Sequence, residues 1–130
     1  MIMNIRLTIA IVLLALTSAC VQKEHLKTVT FKVDMSQVEN TGNVGLRGQF
    51  TSPPWQVTVP MEDNDSDGIY EVTLSEMTAQ SSVDFKFVNQ NDQFELECKP
   101  NRSISFEYEP ETLEYHAIFN TESGNQIKSQ

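Results

Sequence analysis

With 130 residues, 39% of them hydrophobic, the chain suits one compact domain with a real core. Nine basic side chains against 18 acidic ones, a formal net charge of −9, argue against nucleic acid and against direct binding to anionic lipid. An uncharged or cationic partner is easier to accommodate.

The first twenty residues, MIMNIRLTIAIVLLALTSAC, carry one basic residue, Arg6, followed by an apolar run from Leu7 to Leu16. That run is shorter than the roughly 18 to 20 residues of a membrane span, so residues 1–19 read as a signal peptide. Its end, Leu16-Thr17-Ser18-Ala19-Cys20, resembles the lipobox of bacterial lipoproteins, with the large aliphatic residue one position earlier than usual. The resemblance implies acylation of Cys20 and an exported, membrane-anchored protein at the outer membrane or cell surface; a single acyl chain gives only marginal anchoring, several a firm one. The alternative is an ordinary soluble signal peptide with an accidental cysteine. Cleavage removes Arg6 and leaves 8 basic against 18 acidic side chains, a net charge of −10. It also leaves Cys98 without a partner for an intrachain disulfide, and its acidic neighbours Glu95 and Glu97 are the wrong setting for a nucleophilic thiolate, so an inert thiol at a strand end is expected.

Residues 20–27 form a short polar tether in which His25 is solvated. From Thr28 the dominant signal is a period of two. In TVTFKVD, residues 28–34, Val29, Phe31 and Val33 share one face and Thr28, Thr30, Lys32 and Asp34 the other, the alternation of a half-buried strand. The same reading predicts strands over 43–50, 56–59, 69–74, 82–88, 93–97, 103–108 and 112–119, separated by clusters of Gly, Pro, Asn, Asp and Ser. Residues 75–81, SEMTAQS, are the one candidate for a turn of helix, and residues 121–130 read as a flexible tail. Seven to eight short strands over residues 28–120, without helical crossovers, predict an all-β, immunoglobulin-like antiparallel β-sandwich.

The segments TVTFKVDMS, GLRGQFTSPPW, MEDNDSDGIYEVTL, VDFKFVNQNDQFEL and NRSISF, taken in order, resemble starch- and glycogen-binding modules of carbohydrate-binding families 20 and 48. They are most similar to variants found in surface and secreted proteins of Bacteroidetes-like bacteria. In such modules two aromatic rings stack on the apolar faces of sugar rings while polar side chains bond the hydroxyls, so binding needs no charge. The resemblance implies Trp55 and Phe94 as the platform, with Lys86 and Asn101 as hydrogen-bonding residues. Two extra residues separate Phe50 from Trp55, and Phe94 stands where a tryptophan is usual. The alternatives are ordinary structural roles: Trp55 packing in the core or its loop, Lys86 an exposed strand lysine, Phe94 sharing an inward face with Leu96, and Asn101 a turn residue beside Pro100.

These readings lead to a non-catalytic, lipid-anchored module for α-glucan or a related polysaccharide, accessory to a glycan-uptake or hydrolase protein and using no cofactor. The alternative is a protein-interaction or structural lipoprotein that keeps the sandwich without a sugar site. A hydrolase is the least supported reading, because two carboxylates must face each other about 5 to 10 Å apart across a substrate cleft, and no Ser/His/Asp or metal-ligand motif is present.

Residues 62–68, EDNDSDG, invite a calcium reading through Asp63, Asp65 and Asp67. The calcium loop needs a bidentate glutamate at its twelfth position, which here is Leu74, and it needs flanking helices where this sequence has strand alternation. A hairpin explains the same residues: Asp and Asn bond their own main chain, and Asp67-Gly68 is a strong turn signal.

Overall fold

The computed structural model describes residues 21–129. The proposed signal peptide and Cys20 lie outside the described residues. Among those described there is no helix, and nine strands form two sheets packed face to face.

The first sheet is built around β1 (His25–Asp34), flanked by β4 (Ile69–Thr78) and β8 (Glu111–Ile118), with β9 (Gly124–Lys128) beyond β8. The second has β5 (Ser82–Asn89) at its centre. On one side stand β2 (Gly45–Gly48) and then β3 (Val59–Pro60); on the other, β6 (Gln93–Phe94) and β7 (Arg102–Ser105) pair with opposite ends of β5. The sandwich is thus as expected, with one departure from antiparallel pairing. β1 and β8 run parallel, Lys27 opposite Glu111 through Asp34 opposite Ile118.

Alternation puts Val29, Phe31 and Val33 of β1, Val83, Phe85 and Phe87 of β5, and Leu113 and Tyr115 of β8 into the space between the sheets. Phe85 is the centre of that space. It meets Phe31 and Tyr115 edge-on with ring centroids 5.0 Å apart, and Phe87 at 5.5 Å. Edge-to-face pairs of this kind add about 0.5–1.5 kcal/mol each to simple burial.

The boundaries differ from expectation where polar residues do the work of apolar ones. β1 begins at His25, inside the expected tether, because Lys27 is buried and its ammonium donates to Glu111 Oε2 at 2.7 Å and to the carbonyls of Glu107 and Glu109. His25 is half-buried, edge-on to Tyr108. Residues 75–78 continue β4 instead of turning as helix, since pairing with β1 extends to His25 opposite Thr78. The expected flexible tail holds β9, whose Gln126 amide clasps the Ser105 main chain of the other sheet from both sides. Gly124 is obligatory there, as a Cβ would collide with the Tyr115 hydroxyl. Cys98 is exposed in a loop beyond β6, not at a strand end.

The deepest polar contact joins Arg102 to Glu95. Their side chains are 1% and 0% exposed, with Arg102 Nε 2.6 Å from Glu95 Oε1 and Nη2 2.9 Å from Oε2. The remaining capacity of both groups is spent on main chain. Arg102 donates to the carbonyls of Ile118, Thr121 and Ser123, and Glu95 accepts from the amides of Phe87 and Asn120. Burial alone would lower the guanidinium's proton affinity, but the Glu95 bond and charge outweigh it and hold the pKa above its ordinary value. Removing one member of such a pair strands the other without water. Arg102→Met is therefore expected to lower unfolding stability by about 3–5 kcal/mol in urea titration. The double variant Glu95→Leu/Arg102→Met should recover part of the loss, and a single variant within about 1 kcal/mol of wild type would contradict this account.

Candidate functional site

The four residues expected to bind sugar lie around the outer face of the second sheet. β5 sends Phe85 and Phe87 inward, so Lys86 points the other way, and opposite it in register stands Arg47 of β2. Arg47 was not anticipated from the sequence and is the hub of this face. Its Nε donates to Thr58 Oγ1 at 2.7 Å, Nη1 to the Trp55 carbonyl at 3.4 Å and Nη2 to the Asn91 carbonyl at 3.2 Å. The guanidinium also lies 5.5 Å from the centre of the Phe94 ring, within cation–π range. One side chain thus joins the 49–58 loop, which carries Trp55, to the 90–94 hairpin, which carries Phe94. A signal existed in the sequence: Arg47 shares the outward parity of a short strand flanked by glycines, where a planar five-donor group is suited to collecting loop carbonyls.

Trp55 is half-buried and absent from the core between the sheets. Its backbone is left-handed, with φ of 65°, a conformation costing a bulky residue about 1–3 kcal/mol. The turn compensates with two bonds: the Trp55 amide donates to the Gly48 carbonyl at 3.0 Å and to Thr51 Oγ1 at 2.8 Å, while the buried Thr51 hydroxyl donates back to the Gly48 carbonyl. A lengthened loop is thereby held in a defined shape.

Phe94 pairs with Val88 across β5 and β6 and keeps 41% of its surface exposed, while Val88 beneath it is fully buried. The expected alternation in QFELE breaks after Phe94. Glu95 turns inward to Arg102, and Leu96 is buried through a left-handed turn with φ of 52°, so Phe94 and Leu96 do not share an inward face. The Lys86 ammonium donates to the carbonyls of Leu96 at 2.9 Å and Lys99 at 3.0 Å, which pins the loop after β6 and leaves one of its three N–H groups for a ligand. Asn101 is exposed and immediately precedes β7, whose first pair is Arg102 with Phe85; one step further in that register is the level of Lys86.

The acidic residues form a separate group at the turn into β4. Carboxylate oxygens of Asp63, Asp65 and Asp67 lie within 4.8 Å of one another. Asp63 uses both its oxygens on the turn, accepting from the Asp67 amide at 3.2 Å and the Gly68 amide at 2.9 Å, and Asp67 accepts from the Ile69 amide at 2.9 Å. Gly68 takes φ of 86°, which fits glycine, and its carbonyl accepts from the Met35 amide. Leu74, where a calcium loop needs its glutamate, packs against the core. These carboxylates tie a turn closed by the single antiparallel bridge of Glu62 with Glu71; β3 pairs with β2 and β4 with β1, so the connection crosses between the sheets instead of joining two paired strands as a hairpin.

No family model matches the sequence, and no curated protein does. Among solved structures the chain is similar to the solution structure of CBM25-1 of the beta/alpha-amylase from Paenibacillus polymyxa, at 18% identity and a TM-score of 0.47, over 81% of this chain and 94% of that one. A likeness this loose does not align side chains, and the site rests on its own geometry.

Titration distinguishes the aspartates of the turn. Partial burial raises the pKa of Asp63, but donors from Gly68, Asp65 and Asp67 outweigh it and hold the carboxyl below its ordinary value. Asp65 is pushed up, chiefly by its hydrogen bond with the Asp67 side chain. A lowered folded pKa stabilises the turn above the unfolded value, and that contribution is lost as pH falls through the folded value. In a pH titration followed by NMR, Asp65 should protonate before Asp63 on acidification. The Asp67 and Gly68 amides should stay protected from exchange until Asp63 protonates. The reverse order would contradict the bonding pattern.

Proposed function

We propose that the chain is a non-catalytic carbohydrate-binding protein that takes a neutral polysaccharide of the α-glucan type on the outer face of its second sheet. The observation that carries this reading is the Arg47 tie, which holds the loop of Trp55 and the exposed ring of Phe94 on the same face. Stacking on sugar rings needs aromatic surface already fixed in place, and here each aromatic is held by main-chain bonds of its own loop. The spare N–H of Lys86 and the exposed amide of Asn101 supply hydroxyl contacts at the border. A neutral ligand also suits a chain of net charge −9. Anchoring through an acylated Cys20, as the lipobox resemblance implies, would present this face at a membrane surface to polysaccharide gathered by a partner hydrolase or uptake system.

Affinity electrophoresis in gels containing amylopectin or glycogen tests the reading. Wild-type protein should be retarded, and Trp55→Ala and Phe94→Ala should each weaken retardation at least tenfold, which corresponds to about 1.4 kcal/mol. Arg47→Met keeps both aromatics and should weaken it as well. Unretarded migration of the folded protein in both gels would overturn the proposal.

A further inference from the structure

Between the sheets, near the end where the chain enters β1, lies a cleft of about 380 Å³, a volume within the range of small-molecule sites. Its inner part is apolar, lined by Val29, Phe31, Phe50, Leu74, Val83 and Phe106. Its mouth is polar. Lys27 stands opposite Glu76 in the register of β1 and β4, one inward pair before Val29 opposite Leu74, and Gln49, Thr78 and Gln80 complete the rim.

A cleft that is polar at its mouth and apolar behind fits an amphiphile with its tail inward, and the charges at the mouth decide which kind. The Lys27 ammonium has three N–H groups, and all three are engaged, by Glu111 Oε2 and by the carbonyls of Glu107 and Glu109. It therefore offers an entering molecule its methylenes. The other charge at the mouth, exposed Glu76, is negative. The carboxylate of a free fatty acid would give up water here and meet no free cation. A neutral ester or amide needs only a donor to its carbonyl. Gln49 has one, since its oxygen accepts from the Asp84 amide at 2.9 Å and its NH2 group is left over.

The chain itself leads to this mouth. Residues 21–24 turn across the end of the sandwich: the Lys23 amide donates to the Tyr108 hydroxyl at 3.0 Å, and Gln22 lies in a hollow with Gln49, Gln80, Ser82 and Asp84. Gln49 and Gln80 belong to the cleft mouth as well. Cys20 precedes Gln22 by two residues, at most about 7 Å of extended chain.

We infer that the cleft receives one of the acyl chains carried on Cys20, its carbonyl at Gln49 and its tail among Phe31, Leu74 and Phe106, an inference that rests on the acylation of Cys20 in the proposed function. The cleft then sets how firmly the protein is held, because withdrawing one chain from a bilayer weakens an anchor that depends on several. None of its residues belongs to the sugar face.

The full chain, made in a bacterium that acylates lipoproteins and is fed a fatty acid with a terminal diazirine, is reconstituted into phosphatidylcholine vesicles and irradiated. Mass spectrometry reads first the acylation of Cys20 and then the cross-linked peptides. Cross-links to the peptides holding Phe31, Leu74 and Phe106 of the same chain are expected, with isotope-labelled protein mixed in to show that they are internal. Leu74→Trp, which narrows the cleft, should lower their yield at least tenfold. Gln49→Glu, an exposed change that keeps the acceptor for Asp84 and removes the NH2, should lower it severalfold, and Thr30→Ala on the outer face of the first sheet should not. Acylated Cys20 whose cross-links go only to phospholipid, or scatter over the outer faces of the sheets, overturns the inference and leaves the anchor standing; an unacylated Cys20 overturns both. Unchanged yields in folded Leu74→Trp and Gln49→Glu overturn it too. So does equal labelling of the cleft by the free diazirine fatty acid in the acyl-free Cys20→Ser chain, since neither the tether nor neutrality then selects the occupant.

Discussion

The buried pair of Arg102 and Glu95 is the constraint on which the rest of the second sheet's outer end depends. β6 is only two residues long and β7 four, too little ladder to fix the neighbouring loops. A guanidinium and a carboxylate removed from water tolerate few geometries, because every donor and acceptor must be met at once. Here they are met by main chain from two places, the end of β5 and the turn between β8 and β9, while the two side chains themselves come from the loop after β6 and the start of β7. The pair thus sets where the 95–101 loop starts and stops, and Lys86 pins the stretch between by its carbonyls.

The outer face repeats the same device at lower burial. Arg47 collects the carbonyls of Trp55 and Asn91 and the hydroxyl of Thr58, while Thr58 itself donates to the Asn91 carbonyl at 2.5 Å. Two loops that register alone would leave independent become one surface. In both places an arginine is used for its fork of donors as much as for its charge. The first arginine orders the frame, and the second arranges the aromatics that the proposed function requires.

The fold was legible where one face of a strand is buried by apolar side chains. β1, β5 and β8 announce themselves through Val29, Phe31 and Val33, through Val83, Phe85 and Phe87, and through Leu113 and Tyr115. It was illegible where polar groups or bare main chain replace that signal. Lys27 looks like tether until Glu111, 84 residues away, is brought beside it. β9 is exposed at every position and is held by its ladder and by Gln126, so no alternation marks it. In QFELE the periodic pattern points the wrong way, because a charge buried at Glu95 overrides the apolar parity. Arg102 offered the clue: it shares the parity of Ile104 on β7, and an inward arginine demands a buried acid. Of the site, the aromatic positions, Lys86 and Asn101 were named from motif resemblance, while Arg47, which organises them, carries no motif: its outward parity between two glycines was a faint signal, and its partners become visible only when the two loops meet.

The central claim is that Arg47 makes one binding surface of two loops. Its most direct test is a maltoheptaose titration followed by NMR at the Trp55 indole and the Phe94 ring, in wild type and in Arg47→Met. The account predicts that both signals move along one saturation curve in wild type, and that in the folded variant they move only at much higher sugar concentration. Signals that stay still in wild type, or an Arg47→Met curve that overlays it, would contradict the account.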